Sequence, residues 1–134
     1  MKGYLLDSNI IIKNLRHQSY EEEMKALYGH FFLSIHVHYE IMVGIEKSGS
    51  PALRSKKLKT YKTLLSLFQI LPYETAHAEE AAKVRAELEA KGRSIGPIDI
   101  LIAAQARHMG FTMVTSNLKE FSRVEGLEVE SWDS

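Results

Sequence analysis

Short apolar runs alternate along this chain with longer segments whose apolar residues recur at helical spacing. The runs Tyr4 to Leu6, "HFFLSI", "QILP", "FTMVTSN" and "GLEVESW" predict five short strands, several of them apolar throughout, as strands buried on both faces are. Between them lie helical patterns. "IIIKNL" continues helically from "DSN", and Val37, Ile41, Gly44 and Ile45 mark a helix in "HVHYEIMVGIEKS". Ser50 as N-cap and Pro51 at the first helical position open another helix, with Leu53, Tyr61, Leu64, Leu65 and Phe68 as its apolar stripe. Thr75 is placed to cap a helix through "HAEEAAKVRAELEAK" that stops at Gly92, and a further helix runs from about Pro97 to His108 and ends at Gly110. Strands alternating with helices predict an α/β fold, a mostly parallel sheet of about five strands with helices on both faces. No repeat or linker divides the 134 residues, so 1–134 is expected to form one domain.

Composition removes several classes. Hydrophobic residues at 45% and charged residues at 25% fit a globular chain. With no cysteine, disulfides, zinc thiolates and a cysteine nucleophile are excluded. The three apolar residues before Asp7 are too few for a secretory signal and no run approaches membrane-spanning length, so a cytoplasmic protein without membrane partners is expected. The net charge is zero, with 17 basic and 17 acidic residues, but its distribution is uneven: "RSKKLKTYK" lies in a stretch from Lys47 to Tyr73 that holds no acid. A solvated helix face explains that stretch, and a phosphate-facing patch is the alternative.

The candidate chemistry sits at element ends. In open parallel sheets ligands bind beyond the carboxyl ends of the strands, where the strand order reverses. Asp7 ends the first strand, Asn117 follows the fourth, Glu40 lies early in the helix after the second, and Asp99 is third in the helix opened by Pro97. Each has an ordinary explanation: Asp7 as an N-cap, Asp99 as a complement to the helix dipole, Glu40 as surface charge, Asn117 as a turn residue. Together they point at one rim. Three carboxylates held close repel unless a cation lies between them, and hard oxygen donors suit Mg²⁺ or Mn²⁺. Such an ion takes its remaining ligands from phosphates, which points to phosphodiester hydrolysis. His36 and His38, two apart at a helix start, face different ways and make a poor metal pair. Lys91 and Arg93, just before Gly96-Pro97, are candidate contacts to substrate phosphates, with helix C-terminal charge as the equal alternative.

The segments "YLLDSNIII", "YEIMVGIEKS", "KGRSIGPIDILIAAQA" and "MVTSNLKEFSRVEGLEVESW" resemble, in order and spacing, the signature blocks of PIN-domain ribonucleases, specifically the VapC toxins of bacterial toxin–antitoxin pairs. The resemblance implies a PIN-like α/β/α sandwich. It makes Asp7, Glu40 and Asp99 the acidic metal ligands for Mg²⁺ or Mn²⁺, Ser8 and Glu120 supporting residues, and Asn117 the occupant of a place where many relatives carry a fourth aspartate. Asn117 adds no charge, so a second metal would be held weakly. The implied activity is an endoribonuclease acting on RNA, with tRNA as a substrate. The implied partners are a VapB-type antitoxin whose C-terminal segment reaches the acidic rim, and a second copy of the chain, as a homodimer or a toxin–antitoxin hetero-oligomer. A PIN-fold binding module without turnover is the alternative reading; Asn117 favours it, and three retained carboxylates oppose it. A phosphoaccepting Asp7 lacks the paired acids near the first strand that such chemistry needs.

Overall fold

The computed structural model describes residues 2–133. Its strands are β1 (Tyr4–Leu6), β2 (Phe31–Ser34), β3 (Gln69–Leu71), β4 (Thr112–Val114) and β5 (Val129–Glu130), joined in one sheet of order β3-β2-β1-β4-β5. All four pairings are parallel, with Tyr4 in register with both Phe31 and Thr112. The helices are α1 (Ser8–His17), α2 (Glu21–Ala26), α3 (Ile35–Glu46), α4 (Pro51–Leu65), α5 (Thr75–Ala90), α6 (Pro97–Met109) and α7 (Leu118–Phe121). The strand order grows outward from β1 in both directions, so β1 and β4 flank the point where the chain changes sides. Right-handed crossovers then place the early and late helices on opposite faces of the sheet.

Leu5, Leu6, Leu33, Met113 and Val114 are fully buried in the sheet. Against it α6 lies buried on most of its circumference, with Ile102, Ala103, Ala104, Gln105 and Ala106 shielded from water. Small alanines let α6 approach closely, and Gly110 in the left-handed region (φ 69°) closes the helix. Arg107 fastens its far end, donating to Glu80 (2.7 Å) and Glu87 (2.9 Å) of α5 and to the carbonyl of Glu125 (3.0 Å). The C-terminal end is fastened by aromatics: Trp132 packs on Tyr20 (5.8 Å between centroids) and edge-on to Phe31 (5.7 Å). The hydroxyl of Tyr20 bonds to Asp133, which also pairs with Lys13 at 2.8 Å.

Several local expectations need correction. Glu74, not Thr75, is the N-cap of α5, and its N–H donates to Nδ1 of His77 (3.0 Å) in a reciprocal arrangement that the Ser/Thr preference does not anticipate. The short helices α2 and α7 carry too few turns for periodicity to reveal them. Asn14 instead anchors the turn into α2, its Oδ1 accepting from the N–H of Tyr20 (2.9 Å). On α4 the apolar stripe is only partly used: Tyr61 is buried, whereas Leu53 remains 41% exposed. Among the described residues no helix is long and apolar enough to cross a membrane.

Replacing Ile102 with alanine would leave a cavity between α6 and the sheet that the surrounding atoms cannot fill. The expected cost is about 2–5 kcal/mol, read as a lower urea midpoint with an unchanged slope.

Candidate active site

The carboxylate of Asp7 is 4% exposed at the end of β1 and is held from three directions. Its Oδ1 accepts from the backbone N–H of Ser8 (2.8 Å), which makes Asp7 the N-cap of α1. Its Oδ2 accepts from Thr115 Oγ1 (2.8 Å) and from Asn9 Nδ2 (3.2 Å). Thr115, fully buried just beyond β4, also accepts from the N–H of Asn117 (2.9 Å), and Asn9 accepts from the N–H of Ser116 (3.3 Å). The ends of β1 and β4 are thereby tied into one polar knot around a single acid. The sequence shows Asn9 and Thr115 only as turn-like polar residues in "DSN" and "TSN"; what marks them is that both triplets end strands that prove to be neighbours.

The remaining acids gather beside this knot. Burial raises the Asp7 carboxyl above its ordinary range, the bonds from Thr115, Ser8 and Asn9 work against that shift, and the charge of Glu120 adds to it. Glu40, on the second turn of α3, is raised by burial and then by the charge of Asp7, with Ser8 offsetting in part. Asp99 is pushed up to about 6, first by burial and then by Asp7, Glu40 and Glu120 together. Each of these acids lies within electrostatic reach of another. The structure thus brings Asp7, Glu40, Asp99 and Glu120 to one rim, with Ser8 between Asp7 and Glu40.

Asn117 stands at the same strand end, immediately before α7, and its side chain caps nothing. Lys91 is engaged elsewhere, pairing with Glu125 at 2.9 Å, while Arg93 is exposed in the loop that leads to Gly96 and Asp99. His38 and His36 do diverge: Nδ1 of His38 lies 2.7 Å from the hydroxyl of Tyr61, and His36 stands edge-on to Tyr73.

The donor set at the rim is all oxygen, and Oε1 of Glu40 is buried without a hydrogen-bond partner, an acceptor left for a cation or donor to complete. Among the described residues no three acidic or histidine side chains stand close enough together to hold a metal ion between them. An ion that keeps several waters needs only one or two carboxylates, so the open rim fits Mg²⁺ or Mn²⁺ in kind.

Residues 4–127 match the PIN domain family. The chain is 35% identical to a tRNA(fMet)-specific endonuclease VapC of Shigella flexneri, over 98% of this chain and 99% of the relative, and 35% identical with the same coverage to ribonuclease VapC2 of Haemophilus influenzae. The chain belongs to the PIN-domain VapC ribonucleases. The crystal structure of DNA-bound VapBC from Salmonella typhimurium superimposes with a TM-score of 0.93 at 30% identity, covering 99% of this chain and 100% of that one. The expected PIN-like α/β/α sandwich is therefore the observed fold, and its sheet is parallel throughout.

For this VapC relative the raised Asp99 has a measurable consequence. Its folded pKa, about 6, lies above the ordinary carboxyl value of 3.8, so between those values the folded state binds more protons and stability falls as pH rises. In EDTA, Asp99→Asn should therefore be more stable than the parent at pH 7.5, by about 1 kcal/mol once solvent screening of a half-buried carboxyl is allowed for. The gain should vanish below about pH 4. Thermal melts across pH check this.

Proposed function

We propose that this chain is a divalent-metal-dependent endoribonuclease toxin that cuts tRNA in the cytoplasm and is held silent by a VapB-type antitoxin. The observation that carries the reading is the gathering of Asp7, Glu40, Asp99 and Glu120 at one strand end, where burial first and the neighbouring charges second push Asp99 up to about 6. A protein has no stability reason to assemble four repelling acids, and the compensating partner is a cation. Asp7, Glu40 and Asp99 are the proposed ligands for Mg²⁺ or Mn²⁺. When bound, that ion supplies an activated water and charge stabilisation at the scissile phosphate.

The protein's own contribution is positional. Thr115, Asn9 and the N–H of Ser8 fix both oxygens of Asp7, so its free lone pairs keep one direction through the reaction. The unpaired Oε1 of Glu40 completes the rim from α3, with Ser8 supporting it, and α6 holds Asp99 on a buried mount. Asn117 and Glu120 serve as outer acceptors for water at the rim. Arg93, exposed in the loop that leads to Asp99, is the proposed phosphate contact; Lys91, paired with Glu125, contributes less. Relatives from Shigella flexneri and Salmonella typhimurium are both named tRNA(fMet)-specific, which makes initiator tRNA the first substrate to try.

The antitoxin has a surface to occupy. An apolar groove of about 280 Å³ runs between α1, α3 and α4, floored by Ile12, Leu15, Ile41 and Ile45 and edged by Arg16, Lys56 and Lys57. An amphipathic segment with acidic flanks fits it, and the VapBC complexes among the structural relatives support a VapB-type occupant. Ile35 and Tyr39, exposed one turn apart beside Glu40, supply apolar surface for a homodimer.

Purified protein should cleave tRNA in Mg²⁺ or Mn²⁺. EDTA should abolish cleavage, and Asp7→Asn or Asp99→Asn should lower it at least about a thousandfold with the circular dichroism unchanged. Activity persisting in EDTA would remove the metal from the mechanism. Gly44 lines the groove on α3 with open space where its side chain would be. Gly44→Trp should fill the groove and block neutralisation by the antitoxin while tRNA cleavage continues, with rates measured at increasing antitoxin concentration.

A further inference from the structure

Six of the 17 basic residues and none of the 17 acidic ones fall between Lys47 and Tyr73, in a chain whose net charge is zero. Most of them are on α4, which buries only Tyr61 and leaves most of its surface to water. Arg54 is spoken for, bonded to Glu46 at 2.9 Å. Among the described residues Lys56, Lys57, Lys59 and Lys62 make no ion pair. Lys56 and Lys57 edge the apolar groove, whereas Lys59 and Lys62 lie on the other side of the helix with Ser55, Leu58 and Thr63. The hydroxyl of Thr63 on that side turns inward, donating to the carbonyl of Lys59, which leaves the ammonium groups of Lys59 and Lys62 as outward donors.

The position of these lysines follows from the register of α3 against α4. The two helices form an antiparallel hairpin: Arg54 meets Glu46 near the tip, and Tyr61 meets His38 near the base. Stepping back along that register sets Thr60 opposite Glu40. Lys59 and Lys62 therefore stand level with the catalytic rim, about one interhelical spacing of 8–10 Å from the axis that carries Glu40.

A polyanion approaching the rim meets four acids first. Charge attraction must come from another surface, and attraction to phosphates is the sequence-independent part of nucleic-acid affinity. We infer that the outer face of α4, through Lys59 and Lys62, is a phosphate-tracking arm that holds the backbone of the substrate RNA outside the catalytic rim. This rests on the ribonuclease reading above. The arm contacts no reacting atom, so it governs capture of long RNA and leaves bond cleavage to the rim. It is also distinct from the antitoxin groove, which uses the opposite side of the same helix.

The test is the double variant Lys59→Ala/Lys62→Ala. Both sites are exposed and alanine favours helix, so the fold should survive, with thermal melts as the control. For a labelled tRNA, KM should rise about tenfold at 0.1 M salt with kcat unchanged, and cleavage of a short oligonucleotide spanning only the rim should be unaffected. In the Asp7→Asn background, fluorescence anisotropy with the same tRNA should show the slope of log affinity against log salt falling by about 1 to 2. Unchanged KM and salt slope would overturn the arm, as would weakened antitoxin binding with RNA binding intact. If the parent protein leaves tRNA uncut, the reading of the rim fails, and the anisotropy measurement still decides the arm.

Discussion

Burying one carboxylate at the end of a strand constrains much of this molecule. Asp7 is almost inaccessible to solvent, and a carboxyl there must be supplied with donors or lose its charge. The donors come from α1 and from the residue beyond β4, so the first and fourth strands have to end together, in register, with Thr115 facing Asp7. A single hydroxyl does two jobs at that junction, giving its proton to Asp7 and accepting from Asn117. The same bonds that satisfy the acid align the loop that carries Asn117 into α7 and Glu120. Site and topology are therefore one construction, and a sheet with another neighbour beside β1 would leave the acid unsatisfied.

Much of this was legible in the chain itself. Apolar runs gave the five strands, and Gly96, Pro97 and Gly110 gave the bounds of α6. The rim acids could be named because helix starts and strand ends are where a parallel sheet exposes functional side chains. What escaped detection was local or pairwise. The six-residue α2 and four-residue α7 are too short to show a period, and they are set by Asn14 and by the knot at Thr115. Asn9 and Thr115 matter because β1 and β4 are neighbours, a fact no linear pattern contains. Glu74 displaced Thr75 as a cap because His77 could return the hydrogen bond.

The two signs of charge are kept apart by the architecture. Acids collect where the sheet reverses, and cations collect on a helix that barely touches the core. Elsewhere opposite charges are paired locally, as in the clamp of Arg107 on Glu80 and Glu87. A net charge of zero thus conceals a molecule with one face that repels phosphate and one that attracts it. The hairpin of α3 and α4 joins the two, carrying Glu40 on one helix and lysines on the other.

The fastening of the C-terminal end has a practical side. Trp132 is the single tryptophan of the chain, and it rests on Tyr20 from the turn before α2 and on Phe31 at the start of β2. Its indole is only partly buried, so its emission colour depends on whether those three segments stay together. The protein therefore carries a built-in optical gauge at the side of the sheet, and loosening of that corner can be followed without attaching any dye.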